Sequence, residues 1–204
     1  MILAVILLAV FLVSGLSTMM PIRAKALEGR IMSIRINGGG TSTALVDEED
    51  VKQTSYTSPD GGNITYEEST ATLTLTDLTL TGRYIEVHGG VGGYLNIVFS
   101  GSNTISYDAY HALGLWSDNI HFVAADANST LTVTTAPGTY YAMYLNGGNH
   151  TMDGGSIQVN GDVQSDSVVI GSSSPVKLNV TGRLHTSSNI SIQNSVVYAG
   201  TISG

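Results

Sequence analysis

The sequence predicts an all-β chain wound as a right-handed, single-stranded parallel β-helix, a solenoid, and three observations predict it. Short strands alternate apolar and polar residues with period two and end at Gly, Asn, Asp or Ser. Strands of one type recur after 21 to 26 residues. One unit, made of a leucine, a small polar turn, an asparagine and a further strand, is repeated.

The strands begin after Ala71: Leu73-Thr74-Leu75, Leu78-Thr79-Leu80, Ile85-Glu86-Val87, Leu95-Asn96-Ile97, Ile120-His121-Phe122, Leu131-Thr132-Val133, Ile157-Gln158-Val159, Leu178-Asn179-Val180 and Ile190-Ser191-Ile192. No apolar stripe at helical spacing is long enough to cross over between parallel strands, which disfavours an ordinary α/β fold. A β-sandwich explains the short strands but not the repeated unit.

That unit is clearest at Leu115-Trp116-Ser117-Asp118-Asn119-Ile120, Leu145-Asn146-Gly147-Gly148-Asn149-His150 and Leu184-His185-Thr186-Ser187-Ser188-Asn189-Ile190, with a looser copy from Val87 to Ile97. The intervals Leu73 to Leu95, Leu95 to Ile120, Leu131 to Ile157 and Ile157 to Leu178 suit one coil each. One coil cannot bury its own apolar residues, but stacking places them along a shared interior. Leu73, Leu95, Ile120, Leu131, Ile157, Leu178 and Ile190 are therefore expected to point inward, with about five or six coils over 71–204. The recurring Asn is expected to form a ladder between coils.

Upstream, residues 1–26 read as a signal peptide or, alternatively, a membrane anchor. The apolar run of residues 2–16 precedes a small-x-small pattern at Ala24-Lys25-Ala26, although no Lys or Arg comes before the run. Both readings place residues 27–204 outside the cytoplasmic membrane, secreted or on the cell surface, with membrane contact only through an uncleaved N-terminal segment. Residues 27–70 read as an N-terminal cap or linker: a strand at Ser33–Asn37, a turn at Gly38-Gly39-Gly40, and a solvated acidic run at Asp47-Glu48-Glu49-Asp50.

Composition narrows the function. The chain has no cysteine, which excludes thiol nucleophiles, thiolate metal sites and disulfides. Removal of the leader leaves 6 basic against 16 acidic side chains, a net charge of −10. Nucleic acid is not an expected partner of such a chain.

The segments Tyr66–Leu75, Leu95–Ile105 and Tyr144–Asn149 resemble a family of secreted, carbohydrate-binding, right-handed parallel β-helix proteins on the surface of anaerobic Gram-positive bacteria. The resemblance runs from about Tyr66 to the C-terminus. It implies polysaccharide, acidic or neutral, as the partner and bound Ca²⁺ as the cofactor. Trp116-Ser117-Asp118 departs from the family's Gly-rich turn, and Gly147-Gly148 lacks the acid that a calcium ladder would use.

No enzyme is expected. A lyase needs a basic residue beside acids and a glycosidase needs converging carboxylates. After residue 53 the only Lys or Arg are Arg83, Lys177 and Arg183. The five histidines are scattered, with His121 and His150 one position apart in the aligned repeat, which raises the prospect of a stacked pair.

Aromatic side chains are the better signal, because sugar rings stack on flat faces. The carbohydrate-binding candidates are Trp116, Tyr144, Tyr140, Tyr141 and Tyr110, with Trp116 foremost and expected to be partly exposed. Asp118 is the first candidate calcium ligand, followed by Asp126 and Asp153. The rival reading from another class is a structural or adhesive filament subunit that self-associates through open β-helix ends. A polysaccharide lyase or glycosidase is the second alternative.

Overall fold

The computed structural model describes residues 30–90, 92–138 and 140–204, and the expected leader lies outside them. Among the described residues no helix is long and apolar enough to cross a membrane.

Two small antiparallel units come first. Strands β1 (Ile31–Gly38) and β2 (Thr41–Asp47) form a hairpin extended by β3 (Asp50–Val51), and β4 (Ser55–Thr57) pairs with β5 (Asn63–Glu67). The acidic run makes the β2–β3 turn, where Glu48 and Glu49 take left-handed backbone. Ile34, Ile36, Leu45 and Ile64 are buried in the common core.

The solenoid follows. Its first coil is β6 (Thr72–Thr76), β7 (Thr79–Thr81) and β8 (Arg83–Gly89); its second is β9 (Tyr94–Ser100), β10 (Ser102–Ser106) and β11 (Leu113–Trp116). Then come β12 (Asn119–Ala124), β13 (Thr130–Thr134), β14 (Tyr141–Asp153), β15 (Ser156–Asn160), β16 (Asp162–Ile170), β17 (Lys177–Ile192) and β18 (Val196–Ser203). The long strands β14, β16 and β17 pass round corners of the solenoid, which is why their registers shift after Leu145, Ser165 and Val180.

Pairing between coils is parallel throughout and gives three stacks. The first runs β6, β9, β12 and on through the later halves of β14 and β16 to the end of β17. A second runs β7, β10, β13, β15 and the first residues of β17 and β18. The third, which carries the site, runs β8, β11 and the earlier halves of β14 and β16 to the middle of β17 and the end of β18. Together they make a β-solenoid of about five turns.

The first coil has no bare edge. β5 lies antiparallel on β6, β1 lies antiparallel on β8, and the turn at 58–61 caps β7 through Thr79 N–H to the Gly61 carbonyl and Thr81 N–H to Asp60.

Register follows the alternation. Leu95 stands beside Ile120, and Leu131, Ile157 and Leu178 form one column, as the intervals predict. Leu73 stands beside Ile97 instead of Leu95. A slip of two residues keeps the same side chains inside, so the pattern alone cannot tell the two registers apart. Six of the seven residues expected inside are buried, and Ile190 is half-buried against the core.

The asparagine ladder does not form. Asn149 and Asn189 are exposed and Ser167 stands between them. A different residue, Asn103, joins the coils. Buried at the β9–β10 corner, it accepts from Leu78 N–H at 3.0 Å and donates to the Ser100 and Thr130 carbonyls at 3.0 and 3.2 Å.

Nor do His121 and His150 stack. His121 is in register with Thr151, which puts His150 in the inward column of Leu95, Ile120, Val168 and Ile190. One position apart on a strand means opposite faces. His150 is fully buried and neither ring nitrogen has a hydrogen-bond partner. Burial lowers its pKa from the ordinary 6.5, against the pull of Asp166 and Asp118.

Its neutral form is therefore the folded form, and the stability it permits is present above the ordinary value and lost as pH falls below it. His150→Leu is expected to raise stability by about 1 kcal/mol. It should also flatten the decline in thermal midpoint on acidification below about pH 6.5, leaving the share of His111. Calorimetry across that range checks both, and an unchanged pH profile would contradict the assignment.

Candidate functional site

On β8 the residues Tyr84, Glu86 and His88 alternate with the buried Ile85 and Val87, so all three face outward on the third stack. One coil on, Gly114 stands beside Glu86 and Trp116 beside His88; after another coil, Tyr144 stands beside Gly114 and Asn146 beside Trp116. Gln164 and His185 continue the Tyr144 column.

Gly114 shapes this face because it has no side chain. A Cβ there would meet the Trp116 ring at 2.7 Å, so the indole lies folded back over position 114. The indole stacks on His88 with centroids 4.8 Å apart and planes within 5°, and meets Tyr144 at 5.5 Å.

Two connections bring further rings. The β10–β11 loop places Tyr107 and Tyr110 at 4.8 and 5.5 Å from Tyr84, and the residue before β14, Tyr140, lies 5.3 Å from Tyr110. His111 is buried between Tyr110 at 4.5 Å and Tyr144 at 4.7 Å, with its Nδ1 held at 3.1 Å from the Tyr141 carbonyl oxygen. Tyr141 closes the row 5.7 Å from Tyr144. These separations lie in the range where aromatic pairs attract one another.

Glu86 sits among these rings with its side chain 22% exposed. One oxygen accepts from the Asn37 amide at 3.0 Å and the other lies 3.0 Å from His88 Nε2. Burial first, and then the Glu86 charge, raise the pKa of Tyr84 and Tyr110, so both phenols stay protonated at neutral pH and can donate. Burial lowers the pKa of His111, which favours the neutral ring.

The structure thus brings together all five aromatic candidates: Trp116, Tyr144, Tyr140, Tyr141 and Tyr110. Trp116 is partly exposed, as expected. Tyr144 extends its surface by one coil, although it does so opposite Gly114. Tyr84, Glu86, His88 and His111 join the face beyond the residues expected from the sequence. Outward alternation on β8 signals the first three, whereas His111 comes from a loop that no periodicity reports.

The three candidate metal ligands stay apart. Asp118 accepts from Gly92 N–H at 2.6 Å, and Asp126 is used within its own turn by Asn128 N–H and the Ser129 hydroxyl. Asp153 is buried and takes five contacts: His121 Nε2 at 2.8 Å, Ser173 N–H and hydroxyl at 2.8 Å, the Ser172 hydroxyl at 3.0 Å and Ser174 N–H at 3.2 Å. Its oxygens are thus committed to the β14–β15 corner and the 172–174 turn. Among the described residues no group of three or more His, Cys, Asp or Glu is placed to hold a metal ion.

Comparison with family models, with curated proteins and with solved structures finds no match to this chain.

Proposed function

We propose that this protein is a secreted or cell-surface carbohydrate-binding β-helix that takes polysaccharide on the aromatic face of its third stack. The carrying observation is the packed set Tyr84, Tyr110, Trp116 and Tyr144, laid on a rigid sheet with hydrogen-bonding side chains alongside. Ring faces offer stacking surface to the C–H faces of sugars, while Asn146, Gln164 and His185 on the same stack offer partners to hydroxyls. The family resemblance of the repeats points the same way.

Trp116→Ala is expected to weaken binding of the best glycan from a polysaccharide array about tenfold, the worth of one stacking hot spot. The thermal midpoint should hardly move, since the indole lies over the sheet and not inside it. Equal affinity of variant and parent would overturn the proposal, and a large fall in midpoint would assign Trp116 to packing. Repeating the array with a chelator reads out any Ca²⁺ requirement, for which the separated acids give no support.

One observation favours the rival reading of self-association. Ile192, Val196, Tyr198 and Ile202 expose 45 to 61% of their surface around the last strand. Sedimentation over a wide concentration range separates the two readings, because carbohydrate binding at the third stack needs no dimer.

A further inference from the structure

We propose that the aromatic face selects glycans carrying a cationic nitrogen, such as unacetylated amino sugars, over uronic acids, and that Glu86 is the selecting residue. The inference rests on the carbohydrate-binding reading and deepens it.

Three observations carry it. First, Glu86 lies inside the ring cluster. It is in register with Gly114, over which the Trp116 indole is folded, and it is flanked on its own strand by Tyr84 and His88. Second, among the described residues no Lys or Arg bonds to it. Its hydrogen-bond partners are the neutral Asn37 amide and an imidazole, while Arg35, its register neighbour on β1, is paired with Asp47 and attracts Glu86 only more weakly through space. The guanidinium on its own strand, Arg83, is paired with Asp60, and Arg183, further along the stack, with Asp162.

Third, the face already holds a ring in the position a cation would take. His88 lies parallel on the Trp116 indole while its Nε2 reaches Glu86. A ligand ammonium that turns the half-exposed His88 ring aside would find the same two attractions, a carboxylate and the negative face of an indole. A uronate would meet like charge in a partly desolvated setting. This runs against the acidic sugars implied by the family resemblance.

The test is calorimetric titration of the purified protein with tetramers of glucosamine, N-acetylglucosamine and galacturonic acid, at about pH 6.5 and moderate salt so that distant charges are screened. The glucosamine oligomer should bind about fivefold or more tighter than its acetylated counterpart, with galacturonate weakest. Glu86→Gln, which keeps the shape, should bring the first two within about twofold and raise the affinity for galacturonate. A wild-type preference for the acetylated or uronic oligomer would overturn the proposal, as would a glucosamine preference that survives Glu86→Gln.

Trp116→Ala separates the remaining outcomes. If it binds the glucosamine oligomer as tightly as wild type does, the attraction comes from the protein's overall negative charge and the proposal fails. If an uncharged or acidic glycan binds in a Trp116-dependent way without regard to Glu86, selectivity fails while carbohydrate binding stands. If no glycan binds at all, both fail.

Discussion

Asp153→Ala is expected to cost the fold about 3 kcal/mol, because it strips a buried hub from five donors at once. Asp153 ends β14, and its carboxylate reaches the 172–174 turn of the next coil as well as His121 of the coil before. It therefore ties three consecutive coils. Burial by itself would raise its pKa, but Ser173 N–H, the His121 ring, the Ser173 hydroxyl and Ser174 N–H together hold it well below the ordinary carboxylate range.

A depressed carboxylate contributes stability that is present above its unfolded value and lost as pH falls through the folded one. The wild type should thus lose stability progressively below about pH 4, and Asp153→Ala should lose less over the same interval while starting lower. Denaturant titrations at several pH values check this. Parallel pH profiles for the two proteins would show that the carboxylate is not the hub.

Gly148→Ala is expected to cost about 2–4 kcal/mol, the range reached when backbone strain and overlap act together. Gly148 has φ +34°. A Cβ there would overlap the carbonyl oxygen of Asp118 and lie 2.8 Å from its carbonyl carbon. Backbone cannot swing aside as a side chain can, so the third and fourth coils would have to part at the corner that follows Tyr144. The Asn149 N–H to Asp118 carbonyl bond, 2.8 Å long, spans the same gap. Affinity for the glycan should fall along with the midpoint. A fully stable Gly148→Ala protein would contradict the close approach of the coils.

The fold was legible because a solenoid states its period and its inside-outside alternation in the sequence. Leu131, Ile157 and Leu178 could be stacked from spacing alone. Leu73 could not, since its neighbours at both 95 and 97 are apolar and the cap, not the repeat, sets the first coil. Asn103 leaves no such trace for the opposite reason: it occurs once, so no period marks it.

Of the candidate site, the rings announced themselves by composition and by clustering at Tyr107–Trp116 and Tyr140–Tyr144. What joins the clusters is Gly114, where the lack of a side chain lets an indole from two residues further on fill the space. Glu86 was hidden in an ordinary strand pattern, because its role depends on neighbours supplied by β1 and β11. The acids at 118, 126 and 153 looked alike as letters, yet each is committed to a different corner.

The covered first coil bears on how this molecule can associate. β1, β5 and the 58–61 turn cover β6, β7 and β8 of the first coil, whereas the exposed apolar residues lie at the opposite end near β18. If copies meet through the uncovered end, they meet through the same surface on both chains, an isologous contact that closes a twofold pair. Association of that kind would saturate at two chains instead of extending into a fibre, and sedimentation over a wide concentration range reads the difference.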